Sequence, residues 1–164
     1  LTGVAAVTAS VEILANRTGN SFLPAKTILA LKGASFAVPL RRGRLIPDQL
    51  FARRSNDGFR AYLLEYDRGT EPFVSRGFRK SVTRALDHYE EAFANGHART
   101  HYGLKAPLSA LWIFTSRARA DGFRALLDEK GPESACMHKV ANLDDQCGTP
   151  KWEDLLQVLV SLFA

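Results

Sequence analysis

Residues 55–58, Ser-Asn-Asp-Gly, separate two runs rich in apolar and aromatic side chains, 45–53 and 59–67. Asp-Gly supplies the positive-φ positions that a tight hairpin turn demands, so the two runs are expected to be antiparallel neighbours. This turn constrains the chain more than any other stretch, because hairpin register decides which side chains share a face. Pro47 falls near the start of the first strand, where a missing N–H is tolerable. Asp48 then lies on one arm and Glu65 and Asp67 on the other. Residues two apart in a strand share a face, so Glu65 and Asp67 point one way and Leu64 and Tyr66 the other.

The elements around the hairpin follow from period and punctuation. Residues 4–15 place Val4, Val7, Val11 and Leu14 at helical spacing, and 16–20 with Gly19 supply the stop. Residues 22–31 contain Pro24 and an apolar run too short to type. Residues 35–40 read as a strand, and Arg41-Arg42-Gly43-Arg44 as a basic turn. Over 73–95 the period changes: Phe78, Val82, Leu86, Tyr89 and Phe93 recur at three and four, which predicts a long amphipathic helix ended by Asn95-Gly96. The apolar run 110–115 after Pro107 suits a strand buried on both faces. Residues 119–130 read as a helix closed by Gly131-Pro132, 133–149 as polar and irregular, and 152–163 as a helix docked through Leu155, Leu156, Leu159 and Phe163. The order predicts one α/β domain over residues 1–164, a mixed central sheet flanked by helices.

Composition narrows the class. With 164 residues, 46% apolar and 24% charged, the chain is an ordinary globule with room for a core. No window reaches the roughly 18 uncharged apolar residues of a membrane span. The apolar start has no basic leading segment and carries Glu12, unlike a signal peptide. The first residue is Leu rather than Met, so a fragment of a longer protein is expected. Two cysteines, Cys136 and Cys147, are too few for a disulfide scaffold, and a reducing cytoplasm is the expected location. The formal charge of +5 favours polyanions such as nucleic acid.

Asp48, Glu65 and Asp67 are flanked by Leu45, Ile46, Leu50, Leu63 and Leu64. Several anions placed together in apolar surroundings need a compensating cation or donor. Mg²⁺ or Mn²⁺ is the natural compensation, being a hard ion that takes oxygen ligands and keeps its waters. Ion pairing with Arg42, Arg44, Arg68 or Arg76 is the structural alternative. The basic groups form clusters at Arg41, Arg42 and Arg44, at Arg53 and Arg54, and at Arg76, Arg79, Lys80 and Arg84. They are expected to bind the phosphate backbone of DNA, or else to form a solvated surface.

Leu45-Ile46-Pro47-Asp48, a hairpin, and then Leu63-Leu64-Glu65-Tyr66-Asp67-Arg68-Gly69-Thr70-Glu71 resembles the signature of the replication-relaxation family, with the likeness running from about 45 to 119. The resemblance implies a role in replication or conjugal transfer of plasmids and other mobile elements, with DNA and a relaxase or replication protein as partners. Members often carry a winged-helix domain ahead of this region, and none fits before Leu45. The element order is also similar to the PD-(D/E)xK nuclease superfamily, where an acid after proline on the second strand and an acid-x-Lys on the third bind the metal. That likeness implies a restriction-endonuclease-like core, with Asp48 and Glu65 as metal ligands and Glu12 of the first helix as a further acid. Asp67 stands where the superfamily has lysine. Some members move that cation to the following helix, where Lys80 and Arg84, four apart on one face, are the candidates.

These likenesses imply a DNA-associated nuclease-like domain with Asp48, Glu65, Asp67 and Lys80 in catalytic roles. The alternative is a non-catalytic module that binds DNA or a protein with the same fold. His97 and His101 with Cys136, His138 and Cys147 would form a zinc site only if distant segments converged, and Gly96 and Gly103 bracket the His pair as a loop, so surface histidines and core cysteines are expected instead. No Gly-x-Ser-x-Gly and no Gly-rich phosphate loop is present. Trp112 is expected in the core and Trp152 as a helix anchor.

Overall fold

The predicted hairpin is the centre of the sheet. In the computed structural model, which describes residues 3–55, 57–75, 80–143 and 152–163, β4 (Gln49–Ser55) pairs antiparallel with β5 (Gly58–Asp67). Gly58 has φ +108, a region few L side chains enter. Asn56 of the turn lies outside the described residues. On one side, β1 (Phe22–Pro24) adds antiparallel to β4. On the other, β6 (Leu108–Phe114) and β7 (His138–Asn142) add in parallel, giving the order β1-β4-β5-β6-β7. The parallel pairs need crossovers, which the helices supply.

Alternation along these strands makes two cores. Leu50, Ala52, Leu63, Trp112 and Phe114 face α3 (Val82–Phe93) and α5 (Arg117–Lys130), burying Leu86, Tyr89 and Phe123. Phe51, Tyr62, Leu64, Leu111 and Ile113 face α1 (Gly3–Arg17) and α7 (Trp152–Phe163), burying Val7, Val11, Leu155 and Leu159. Each fully buried Val, Leu, Ile or Phe among them contributes about 1.5–3 kcal/mol relative to exposure. The mixed sheet flanked by helices is the expected architecture. Among the described residues no helix is long and apolar enough to cross a membrane.

Several expectations need correction. The strand over 35–40 shrinks to β2 (Val38–Pro39), which pairs only with β3 (Arg44–Leu45) in a separate two-stranded hairpin. The strand over 45–53 is broken, because Pro47 has no N–H to donate and leaves Pro47-Asp48 between β3 and β4. Residues 22–31 divide at Pro24 into β1 and α2 (Ala25–Ala30). The helix over 73–95 starts only at Val82, since the Ser81 side chain accepts from Arg84 N–H and caps it there. Phe78 of that pattern lies outside the described residues. Residues 133–149 are not irregular throughout: α6 (Pro132–Met137) and β7 occupy their first part. The His pair is helical rather than looped, on α4 (His97–Tyr102) between Gly96 and Gly103.

Candidate functional site

Asp48 follows Pro47 at the point where the β4 ladder runs out. Its N–H still donates to Leu64 O (2.9 Å), and its Oδ2 accepts the Tyr66 N–H (2.8 Å). A side-chain carboxylate thus serves as the last rung between β4 and β5, and Asp48 itself is exposed at the end of the sheet. Glu65, on β5, projects to the α3 face and accepts the hydroxyl of Tyr89 at 2.8 Å. Tyr89 is fully buried and packs edge-on against Trp112, so the donor is held rigidly.

Asp48 and Glu65 line one cavity of about 100 Å³ together with Glu71, Lys80 and Trp112. Protein surrounds most of Glu65. Burial pushes its carboxyl up to about 8, the charge of Asp48 adds to the rise, and the Tyr89 hydrogen bond and the charge of Lys80 pull against it. Lys80 Nζ lies 2.9 Å from Glu71 Oε1, and that hydrogen bond raises the ammonium above its ordinary value, with Glu65 and Asp48 adding to the rise. Three carboxyl groups and an ammonium therefore act on one another across one small opening.

The other expected residues divide. Asp67 lines the same cavity, but its oxygens accept from Arg119 Nε and Nη2, the latter at 3.0 Å. Lys80 reaches the cavity from the segment before Ser81, so it does not share a helical face with Arg84, as the four-residue spacing suggested. Glu12 is exposed on α1, which covers the opposite face of the sheet from Glu65, so it does not join the acids. Arg53 is buried on the α7 side, its guanidinium 4.6 Å from the Phe163 ring centroid and its Nε without a partner, so it offers no surface to DNA. Arg41, Arg42 and Arg44 are exposed on the β2–β3 hairpin, and Arg54 is exposed on β4. Arg84 is half-buried in the first turn of α3. Arg76 and Arg79 lie outside the described residues.

Glu71 and Arg119 were not among the expected site residues. Glu71 closes the acidic string 65–71, so its position was in view, whereas nothing in the sequence links Arg119 to an acid 52 positions away.

Among the described residues the candidate zinc ligands do not converge, and Cys136 is exposed rather than in the core as expected. His97 and His101 donate through Nε2 to Pro39 O (2.7 Å) and Ser35 O (2.9 Å), pinning the basic hairpin to α4. His138 is buried on β7, Cys136 is exposed, and Cys147 lies outside the described residues. Among the described residues no three or more His, Cys, Asp or Glu are placed to hold a metal ion.

Comparison with curated proteins and with solved structures found no match. A family model described as Replication-relaxation matches residues 11–108, a span that begins earlier than the likeness at 45–119 and ends at the first residue of β6. It takes in Asp48, Glu65, Glu71 and Lys80 and more than half of the chain, which belongs to the replication-relaxation family.

Proposed function

We propose that this chain is a single nuclease-like α/β domain that handles DNA in the replication or transfer of a plasmid or other mobile element, and that its acidic cavity hydrolyses phosphodiesters. Family membership supports the biological setting. The observation that carries the chemistry is Glu65: a carboxyl pushed up to about 8 in a cavity that it shares with Asp48 and the Lys80 ammonium. The first helix, the antiparallel strands β1, β4 and β5, the crossover through α3 and the parallel strand β6 resemble the order of a restriction-endonuclease-like core, with Asp48 just ahead of β4 and Glu65 on the neighbouring β5.

The donor set suits Mg²⁺ or Mn²⁺, which take one or two carboxylates and keep several waters. Asp48 and Glu65 would hold it, and the buried anion at Glu65 would gain the compensation that it lacks. Bound there, the ion would supply Lewis-acid stabilisation of charge on the phosphodiester. Tyr89 holds the Glu65 carboxylate in place through its hydroxyl. Lys80 would meet the phosphate, in the role that lysine plays in the nuclease pattern at the position occupied here by Asp67. The exposed arginines 41, 42 and 44 would track the backbone. Arg41 N–H donates to Glu91 near the far end of α3, so they sit roughly 13 Å along that helix from Val82 at the cavity.

The decisive test is plasmid nicking with Mg²⁺ or Mn²⁺. Asp48→Asn and Glu65→Gln should each lower the rate by ~100-fold or more. Cleavage at the wild-type rate by both variants would remove the assignment.

One observation favours a second reading, a module that binds DNA, a relaxase or a replication protein without cutting. The arginine hairpin is exposed and lies at the other end of α3 from the acids. This reading expects heat-silent titration with Mn²⁺ and a salt-dependent DNA affinity, lost on charge reversal at Arg41, Arg42 and Arg44.

A further inference from the structure

Asp67 occupies the position where the related nuclease pattern has lysine, and its surroundings differ from those of the other two acids. Arg119 grips it with two nitrogens, and Oδ1 also takes the Gly69 N–H at 3.3 Å. The pair is only 10% and 19% exposed at Asp67 and Arg119. A two-pronged guanidinium–carboxylate contact fixes orientation as well as distance. With its oxygens so committed, Asp67 has little left for a cation.

Arg119 does more than bind Asp67. Its Nη2 also donates to the Glu71 carbonyl at 3.0 Å, and its guanidinium lies 5.8 Å from the Phe73 ring centroid. The first N–H groups of α3, at Val82 and Thr83, donate to the carbonyls of Pro72 (3.2 Å) and Phe73 (3.1 Å). The turn after β5 is therefore tied to α5 and to α3. From this turn Glu71 takes the ammonium of Lys80, a side chain that is otherwise 69% exposed. An ion pair so open to water adds little to stability. Its consequence is positional, because a four-carbon stem is held at the mouth of the cavity instead of sampling solvent.

We infer that Asp67 and Arg119 act as an anchor for the turn at 68–71, and that through it Glu71 positions Lys80 beside the Asp48–Glu65 pair. The inference rests on the reading of the cavity as a phosphodiester site. It makes Glu71 and Arg119 positioning residues, and it gives Asp67 a different role from the two acids that line the cavity with it.

Two measurements on the intact chain test it. The first needs no activity: acetylation of Lys80 by an amine-reactive ester, followed by mass spectrometry. Glu71→Gln and Arg119→Lys should each change Lys80 labelling by about threefold, upward, the change that loss of an ordinary exposed ion pair brings. Unchanged labelling in Glu71→Gln, which alters only a surface carboxylate, overturns the inference. The second is nicking kinetics. Lys80→Met should lower kcat by ~100-fold, and Glu71→Gln or Arg119→Lys by ~10-fold with KM for plasmid within about twofold. In the Lys80→Met background, Glu71→Gln should lower kcat no further. Full additivity there would make Glu71 act apart from Lys80 and also overturns the inference. A wild-type chain that labels as expected yet never nicks removes the nuclease reading and leaves the anchor standing.

Discussion

Two polar clusters meet on α3, one residue apart, and they are built on opposite terms. Tyr89 serves the cavity by donating to Glu65. Glu90 serves a closed thread, accepting Ser134 Oγ at 2.6 Å and His138 Nε2 at 3.1 Å, while Trp112 Nε1 donates to His138 Nδ1 at 2.9 Å. Since Nδ1 accepts, Nε2 carries the proton and the imidazole is neutral. Burial lowers the basicity of His138, opposed by Glu90, so the ring has no need of a counter-charge. Every bond in the thread joins α3, α6, β6 or β7 to another of these elements. In the cavity, by contrast, Glu65 has one hydroxyl and faces a second acid. A satisfied polar thread fixes the fold, whereas an under-compensated carboxyl raises the free energy of the folded state unless it is neutralised.

This difference should be visible in stability. Glu65 has a folded value near 8 against an ordinary 4.5. The folded chain then holds this proton over a range where the unfolded chain has released it. Stability from this group is full below about 4.5 and is lost as pH rises towards 8. With divalent cations chelated, unfolding by urea should show that decline, at most about 5 kcal/mol in size. Glu65→Gln should flatten it and leave the variant more stable than wild type at pH 8. A parallel decline in the variant would break the comparison at its acidic side.

The thread should respond with the opposite sign. Glu90→Leu leaves His138 and Ser134 without their acceptor and should cost about 3 kcal/mol in urea unfolding at neutral pH. Glu90→Gln keeps an acceptor oxygen and should cost well under half of that. Equal losses would mean that the Glu90 charge, and not its hydrogen bonds, holds the thread.

The smallest effect sharpens the link between the two. Tyr89→Phe removes the one hydroxyl on Glu65 and should cost about 1 kcal/mol above pH 8. It should also move the Glu65 carboxyl further up, seen as a later titration in carbon NMR, because that bond favours the charged form. A downward move would show that the hydroxyl stabilises the protonated acid instead.

The parts of the fold that were legible in the sequence are those whose signal is local. Asp57-Gly58 marks the hairpin, and the run at 110–114 marks a strand buried on both faces. The C-terminal helix keeps its apolar stripe and matches its expected range. β7 was missed because His-Lys-Val-Ala-Asn has no run of apolar residues: its place depends on parallel pairing with β6 and on a histidine satisfied by distant partners. The start of α3 was misplaced because apolar spacing continues upstream through Phe78 and Phe73, while the stop signal is the single hydroxyl of Ser81. At the site, Pro47-Asp48 and Glu65 were legible as a pair. The assignment of Asp67 to a guanidinium on α5 was not, because that contact spans 52 positions and exists only after the sheet has closed.

Asp48 has a consequence for how the site can change over generations. Its side chain is both a cavity acid and the acceptor that ends the β4–β5 ladder at Tyr66. Drift to an apolar residue at this position would unzip the end of the central hairpin as it removed the cavity acid. Asparagine is the neighbouring solution: its carbonyl oxygen can still receive the Tyr66 N–H without the charge. A descendant that has lost the cavity charge at this position is therefore expected to carry asparagine here, with the hairpin intact.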